Sequence, residues 1–169
     1  QAAVDEREDP GSPTLWGKPE LRQSFAEFYL RQDGVELGPD TEGGVYQGSH
    51  IGVGGIPRAV VNPGQYIIST DPCYPIYRSA ARQSQAYFFG LPVSEESQFL
   101  PDFADVPDEV ARHAGLVILN YPHNPTGALA TPELFADALQ FAQRHNVPLL
   151  HDFAYAAIGS THEDVPLSL

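Results

Sequence analysis

Apolar positions along this chain keep two rhythms, one helical and one of short unbroken runs. Residues 18–32 read as a helix: Leu21, Phe25, Phe28 and Tyr29 share a face, Pro19 suits the first turn, and Gly34 ends it. A Gly/Pro/Asp loop follows to residue 44, and Val45 and Tyr46 end a short strand before the glycine-rich GSHIGVGG. Helical character resumes at residues 56–61, and Asn62-Pro63-Gly64 turns the chain into the strand YIIST, 66–70. The segment DPCYPIY, 71–77, is a loop that opens a helix to Gln83; residues 86–92 form a strand, 93–105 a loop and 107–113 a short helix. LVILN, 116–120, is apolar without a break, so it reads as a strand buried on both faces. Residues 131–146 form an amphipathic helix with Thr131 as N-cap, Pro132 at the first position and Glu133 in the first turn. Residues 147–153, VPLLHDF, give a second buried strand.

Strands alternating with helices predict an α/β fold with a mostly parallel sheet flanked by helices. In such sheets ligands bind beyond the carboxyl ends of the strands. Four unusual loops lie there: GSHIG, DPCYP, YPHNPTG and HDFAY.

Composition narrows the field. The formal net charge of -13 argues against nucleic acid, whose phosphates need Lys and Arg. No apolar run is long enough to span a membrane. The single cysteine, Cys73, excludes an internal disulfide, so a reducing cytoplasm is the expected setting. There is no methionine, even at position 1, and one lysine, Lys18, among nine basic residues. These absences read as an internal fragment of a longer chain.

Each loop carries its own chemistry. Gly48 to Gly55 lies between a strand and a helix, where close backbone approach and free N–H groups suit a phosphate; a dinucleotide site with Asp71 as ribose acid and a flexible turn are the alternatives. Prolines flank Tyr74 and fix its ring at the sheet edge, either to stack on a flat heterocycle or to pack on the core. Cys73 reads as an ordinary buried thiol. Asn124 stands between two prolines, so its amide is aimed by stiff backbone and can donate to a phenolate-type oxygen; a structural turn is the other reading. His123 has no second metal ligand at suitable spacing and reads as a surface histidine; no metal site is expected. Asp152 ends an apolar strand and needs a cationic or hydrogen-bonding partner, unless it caps the next turn. Tyr155, three residues on, brings a hydroxyl toward the same ligand. Phosphate donors, a stacking ring, an amide and a buried carboxylate together suit a flat, phosphorylated, cationic heterocycle such as pyridoxal 5'-phosphate (PLP).

NYPHNPTG followed by HDFAY resembles the class I/II aminotransferases of PLP fold type I. LWGKPELRQSFAEFY, VVNPGQYIISTDPCYPIYRSA and PDEVARHAGLVILNYPHNPTGALAT are similar to the branch holding LL-diaminopimelate and alanine-type aminotransferases. The resemblance covers residues 10–169. Residues 1–17, Pro/Gly-rich and without periodicity, read as an N-terminal arm, and the resemblance implies a partial large PLP-binding domain, 18–169. It further implies that Ser49 and His50 contact the cofactor phosphate, Tyr74 stacks on the pyridine ring, Asn124 and Tyr155 bond its phenolic oxygen, and Asp152 pairs with its nitrogen. The implied substrates are an amino acid and a 2-oxo acid, and the implied assembly a homodimer. A C–S lyase of the same fold is the enzymatic alternative; a non-catalytic remnant is the other.

Departures from the family pattern add further expectations. His50-Ile51 stands where the family has Lys-Glu, and the tyrosine that reaches a neighbouring subunit's phosphate falls near Ser12. The family's cofactor-binding lysine follows the Asp-x-x-Tyr segment, beyond Leu169, and Lys18 lies upstream of the phosphate loop. No catalytic residue is therefore expected within these 169 residues.

Overall fold

The structure is a computed structural model that describes residues 15–156, 158 and 166–169. Most of the arm expected at 1–17, with the position near Ser12, lies outside the described residues. Two compact units form, Gln1–Tyr46 and Gln47–Leu169.

In the first unit, helix α1 spans Pro19–Asp33, with Pro19 in its first turn and Gly34 closing it at a left-handed φ of 70°. Arg22 ties the following loop to the helix: its guanidinium donates to the carbonyls of Gly17 at 2.7 Å and Pro39 at 2.8 Å, and to Asp40 at 2.8 Å. Val45 and Tyr46 do not belong to a strand. No described neighbouring strand pairs with them, and without a ladder two apolar residues carry no strand.

The second unit is built on four parallel strands in the order β2-β1-β3-β4: β1 Tyr66–Asp71, β2 Tyr87–Pro92, β3 Ala114–Leu119 and β4 Leu149–His151. Helix α2 (Ser49–Val60) precedes β1, α3 (Ile76–Gln83) joins β1 to β2, α4 (Asp108–Arg112) precedes β3, and α5 (Pro132–His145) joins β3 to β4. The glycine-rich stretch is thus already helix rather than a loop before one. Helix α2 packs beside α3, where Gly54 lies next to Ile76.

Two apolar layers sandwich the sheet. Ile67, Leu116 and Ile118 face α2 and α3 with Val53, Tyr77 and Ala81, while Ile68, Val117 and Leu119 face α5 with Leu134, Ala138 and Phe141. Residues 116–119 of β3 are buried on both faces, as an unbroken apolar run requires. Strand β4 is shorter than its sequence suggested and only half-buried. Its one described neighbour is β3, so its outer side lacks the cover that a second neighbour would give. Thr131 caps α5, its hydroxyl accepting from the Leu134 N–H at 3.2 Å.

The strand order reverses between β1 and β3, because β2 lies on one side of β1 and β3 on the other. The carboxyl ends of β1 and β3 therefore flank the crevice where open α/β sheets take their ligands, which makes it the candidate site.

Candidate cofactor site

Three loops converge on that crevice. The first leaves β1 at Asp71 and carries Tyr74 into α3. The second leaves β3 at Asn120 and carries Asn124. The third leaves β4 with Asp152 and Tyr155.

Asn120 stitches the second loop to the third. It is buried, its Nδ2 donates to the Asp152 carbonyl at 2.7 Å, and its Oδ1 accepts from the Asn124 N–H at 3.0 Å. The Asp152 N–H in turn donates to the Leu119 carbonyl at 2.7 Å, which continues the β3–β4 pairing by one residue. With both loops fixed, the Asn124 Nδ2 donates to the Tyr155 hydroxyl at 3.0 Å. The amide and the phenol foreseen for one ligand oxygen are thus neighbours.

His123 corrects the sequence reading. It is 2% exposed rather than on the surface. Its ring stacks on Tyr121 with centroids 5.2 Å apart, and its nitrogens meet the Thr70 hydroxyl at 3.0 Å and the Thr126 hydroxyl at 2.7 Å. Burial holds its pKa below the ordinary imidazole value, partly opposed by the Pro72 carbonyl. The histidine therefore bolts the asparagine loop to the end of β1.

Asp152 is 6% exposed. Its Oδ2 accepts from the Tyr77 hydroxyl at 2.7 Å, and among the described residues no Lys or Arg pairs with it. The Tyr77 ring meets Tyr74 edge to face at 5.9 Å, and the Tyr74 hydroxyl meets His50 Nδ1 at 2.9 Å. His50 and Ser49 open α2, behind Gly48 at a φ of 89°, with no acidic residue in the first turn. That end presents unpaired N–H groups and the positive pole of the helix dipole. Cys73 is partly buried beside this cluster, and burial raises its pKa, which keeps it a thiol rather than a nucleophilic thiolate.

Of the six residues singled out from sequence, five are linked by direct contacts or through one intermediary: His50 to Tyr74, Tyr74 through Tyr77 to Asp152, Asn124 to Tyr155, and Asn124 through Asn120 to the Asp152 backbone. Ser49 joins them only as the neighbour of His50 at the helix start. Sequence reasoning missed Tyr77, Asn120, Thr70 and Thr126. Tyr77 alone left a signal, as a second tyrosine one turn after Tyr74. Among the described residues no cluster of His, Cys, Asp or Glu could hold a metal, and no helix is long and apolar enough to cross a membrane.

The donor set fits a flat phosphorylated cation. A buried carboxylate faces a neutral partner, an amide and a phenol sit together, an aromatic ring stands at the rim, and a helix N-terminus lies next to that ring. Comparison with known proteins points the same way. The chain is 38% identical over 157 residues to the L-glutamine--4-(methylsulfanyl)-2-oxobutanoate aminotransferase of Bacillus subtilis, covering 93% of this chain and 39% of that relative. It is 37% identical over 164 residues to an LL-diaminopimelate aminotransferase of Aquifex aeolicus, covering 97% and 42%. The substrate-bound structure of BacF from Bacillus subtilis superposes with a TM-score of 0.90 at 36% identity, over 99% of this chain and 43% of that one. The chain therefore spans about 40% of the length of the curated relatives it matches. Residues 1–167 match the model of one family, and with the parallel sheet and its strand-end loops this chain belongs to it: aminotransferase class I and II.

Proposed function

We propose that this chain forms the pyridoxal phosphate cradle of an enzyme that moves an amino group between an amino acid and a 2-oxo acid. The single observation that carries this reading is Asp152, a buried carboxylate with a neutral hydroxyl on Oδ2 and no described cationic partner. Burying a lone carboxylate costs several kcal/mol, roughly, unless a cation meets it. A pyridinium nitrogen is such a cation, and PLP when bound supplies an electron-withdrawing ring that stabilises negative charge on the substrate's α-carbon.

The other residues divide the rest of the cofactor. Ser49 and His50 at the start of α2 suit the phosphate, where helix N–H groups and the Ser49 hydroxyl donate. Tyr74 offers its ring face to the pyridine. The Asn124 amide and Tyr155 hydroxyl donate to the phenolic oxygen and leave its charge in place. Residues 18–169 are then part of the enzyme's large domain, in a homodimeric cytoplasmic protein. The matched relatives are named as aminotransferases, which favours transfer over the C–S lyase.

Titrating the chain with PLP tests the reading, following the cofactor's absorption and the quenching of tyrosine fluorescence. Saturable binding, weakened at least tenfold by Asp152→Ala, is the expected result. A cofactor spectrum identical to free PLP would overturn it. In the protein that carries this chain, keto-acid formation should require an added 2-oxo acid; equal yield without that acceptor would exclude transfer.

A further inference from the structure

Asp152 has a partner beyond the residues assigned to the cofactor. Tyr77 lies in the first turn of α3, three residues after Tyr74, and is fully buried among Val53, Val61, Ile67 and Ile118. Its ring belongs to the core, while its hydroxyl crosses to the end of β4 and donates to Asp152 Oδ2 at 2.7 Å. The contact spans 75 residues of sequence. One tyrosine of the pair thus meets the carboxylate and the other, Tyr74, meets His50 at the start of α2.

We propose that Tyr77 is a positioning residue for the cofactor's ring nitrogen, its hydroxyl fixing the Asp152 carboxylate in one orientation with Oδ2 occupied. The proposal rests on the reading of Asp152 as the partner of that nitrogen. A carboxylate's terminal torsion is broad and two-fold, so an unrestrained Asp152 would offer its oxygens at many angles. A hydroxyl donor removes that freedom and favours the charged form. A lysine or arginine in its place would also cancel the charge that an incoming pyridinium needs. The remaining groups around Asp152 are the Tyr155 hydroxyl on the loop after β4, the His151 imidazole on β4 and the Asn120 amide after β3; Cys73 faces Tyr77 from the loop before α3. None is a permanent cation. Burial first, then the hydrogen bond and charge of Asp152, raise the Tyr77 phenol far above its ordinary range, so it remains a donor across the physiological pH range.

Tyr77→Phe keeps the buried ring and removes only the hydroxyl. The Asp152 carboxyl carbon is followed by 13C NMR in the unliganded chain, with Asp152→Asn giving the assignment, and PLP affinity is measured against pH. Loss of the donor should make the Asp152 carboxylate easier to protonate and move the acid limb of PLP binding upward with it. A role in packing alone would weaken binding equally at every pH and leave the titration where it was; that result overturns the proposal. Should the phenylalanine variant fail to fold, 3-fluorotyrosine at position 77 supplies a stronger donor, and the titration should then move downward. An unmoved titration there also overturns the proposal. A shifted titration in a chain that binds no PLP refutes the cofactor reading alone, whereas binding without a shift refutes the role of Tyr77 alone.

Discussion

Replacing Asn120 by alanine removes two hydrogen bonds with one cut. Its Nδ2 donates to the carbonyl of buried Asp152, and its Oδ1 accepts from the half-buried Asn124 N–H. The carbonyl is left unsatisfied inside the protein, at about 1–3 kcal/mol, while the amide keeps some access to water and loses about 0.5–1 kcal/mol. The variant should therefore be less stable by about 2–3 kcal/mol. With a urea slope of roughly 2 kcal/mol/M, the unfolding midpoint followed by circular dichroism falls by about 1 M. PLP affinity should fall at least tenfold, because the loops carrying Asn124 and Asp152 lose their common anchor. Asn120→Asp separates the two bonds: it retains the acceptor but places a second carboxylate near Asp152. That variant should be least stable near neutral pH and recover in acid, where one carboxylate takes up a proton. A loss under about 0.5 kcal/mol for the alanine variant, with PLP affinity unchanged, would refute the view that Asn120 holds the site together.

Acid should weaken the fold through one buried and one half-buried histidine. Burial lowers the pKa of both His123 and His151, so below about pH 6.5 the unfolded chain binds protons that the folded chain refuses. The stability they contribute is fully present above about pH 6.5 and is lost as pH falls. Thermal midpoints measured between about pH 7.5 and 5 should decline, and His123→Gln should flatten the decline; an unchanged slope would count against it. Thr131→Ala removes the N-cap bond to the Leu134 N–H and should cost about 1 kcal/mol in urea unfolding. Gly90→Ala would bring a Cβ to 2.8 Å from that of Asp71, and the crowding between β1 and β2 should cost about 1–3 kcal/mol.

What the sequence made legible was set by how local each cause is. Helix α5 shows its face, cap and charge pattern in consecutive residues, and the structure repeats them. Strand β3 announces burial on both faces because every one of its central residues is apolar. Strand β4 misled because its cover comes from neighbours, and only β3 flanks it among the described residues. The glycine-rich start of α2 misled for a related reason: glycine weakens a helix in isolation, but Val53 is buried against the core beside α3 and the packing sustains the helix here. His123 was misjudged because its partners Tyr121 and Thr126 look like loop residues, while Thr70 is 53 positions away.

The candidate site divides along the same line. Tyr74, Asn124, Asp152 and Tyr155 were visible as special residue types in stiff loops at strand ends. The residues that hold them were not: Asn120 before its loop has no signature until the distant partner is known, and Tyr77 left only its place one turn after Tyr74. The requirement itself was legible: a carboxylate ending an apolar strand needs a donor. The identity of that donor, Tyr77, came only from the folded chain.

The central claim is that Asp152 receives a protonated ring nitrogen. The direct measurement is the 15N chemical shift of PLP, labelled at its pyridine nitrogen, bound to this chain at neutral pH. A protonated nitrogen in the unaltered chain, returned to the unprotonated shift by Asp152→Ala, is the predicted result. An unprotonated nitrogen in the unaltered chain, or a protonated one indifferent to Asp152→Ala, would contradict it.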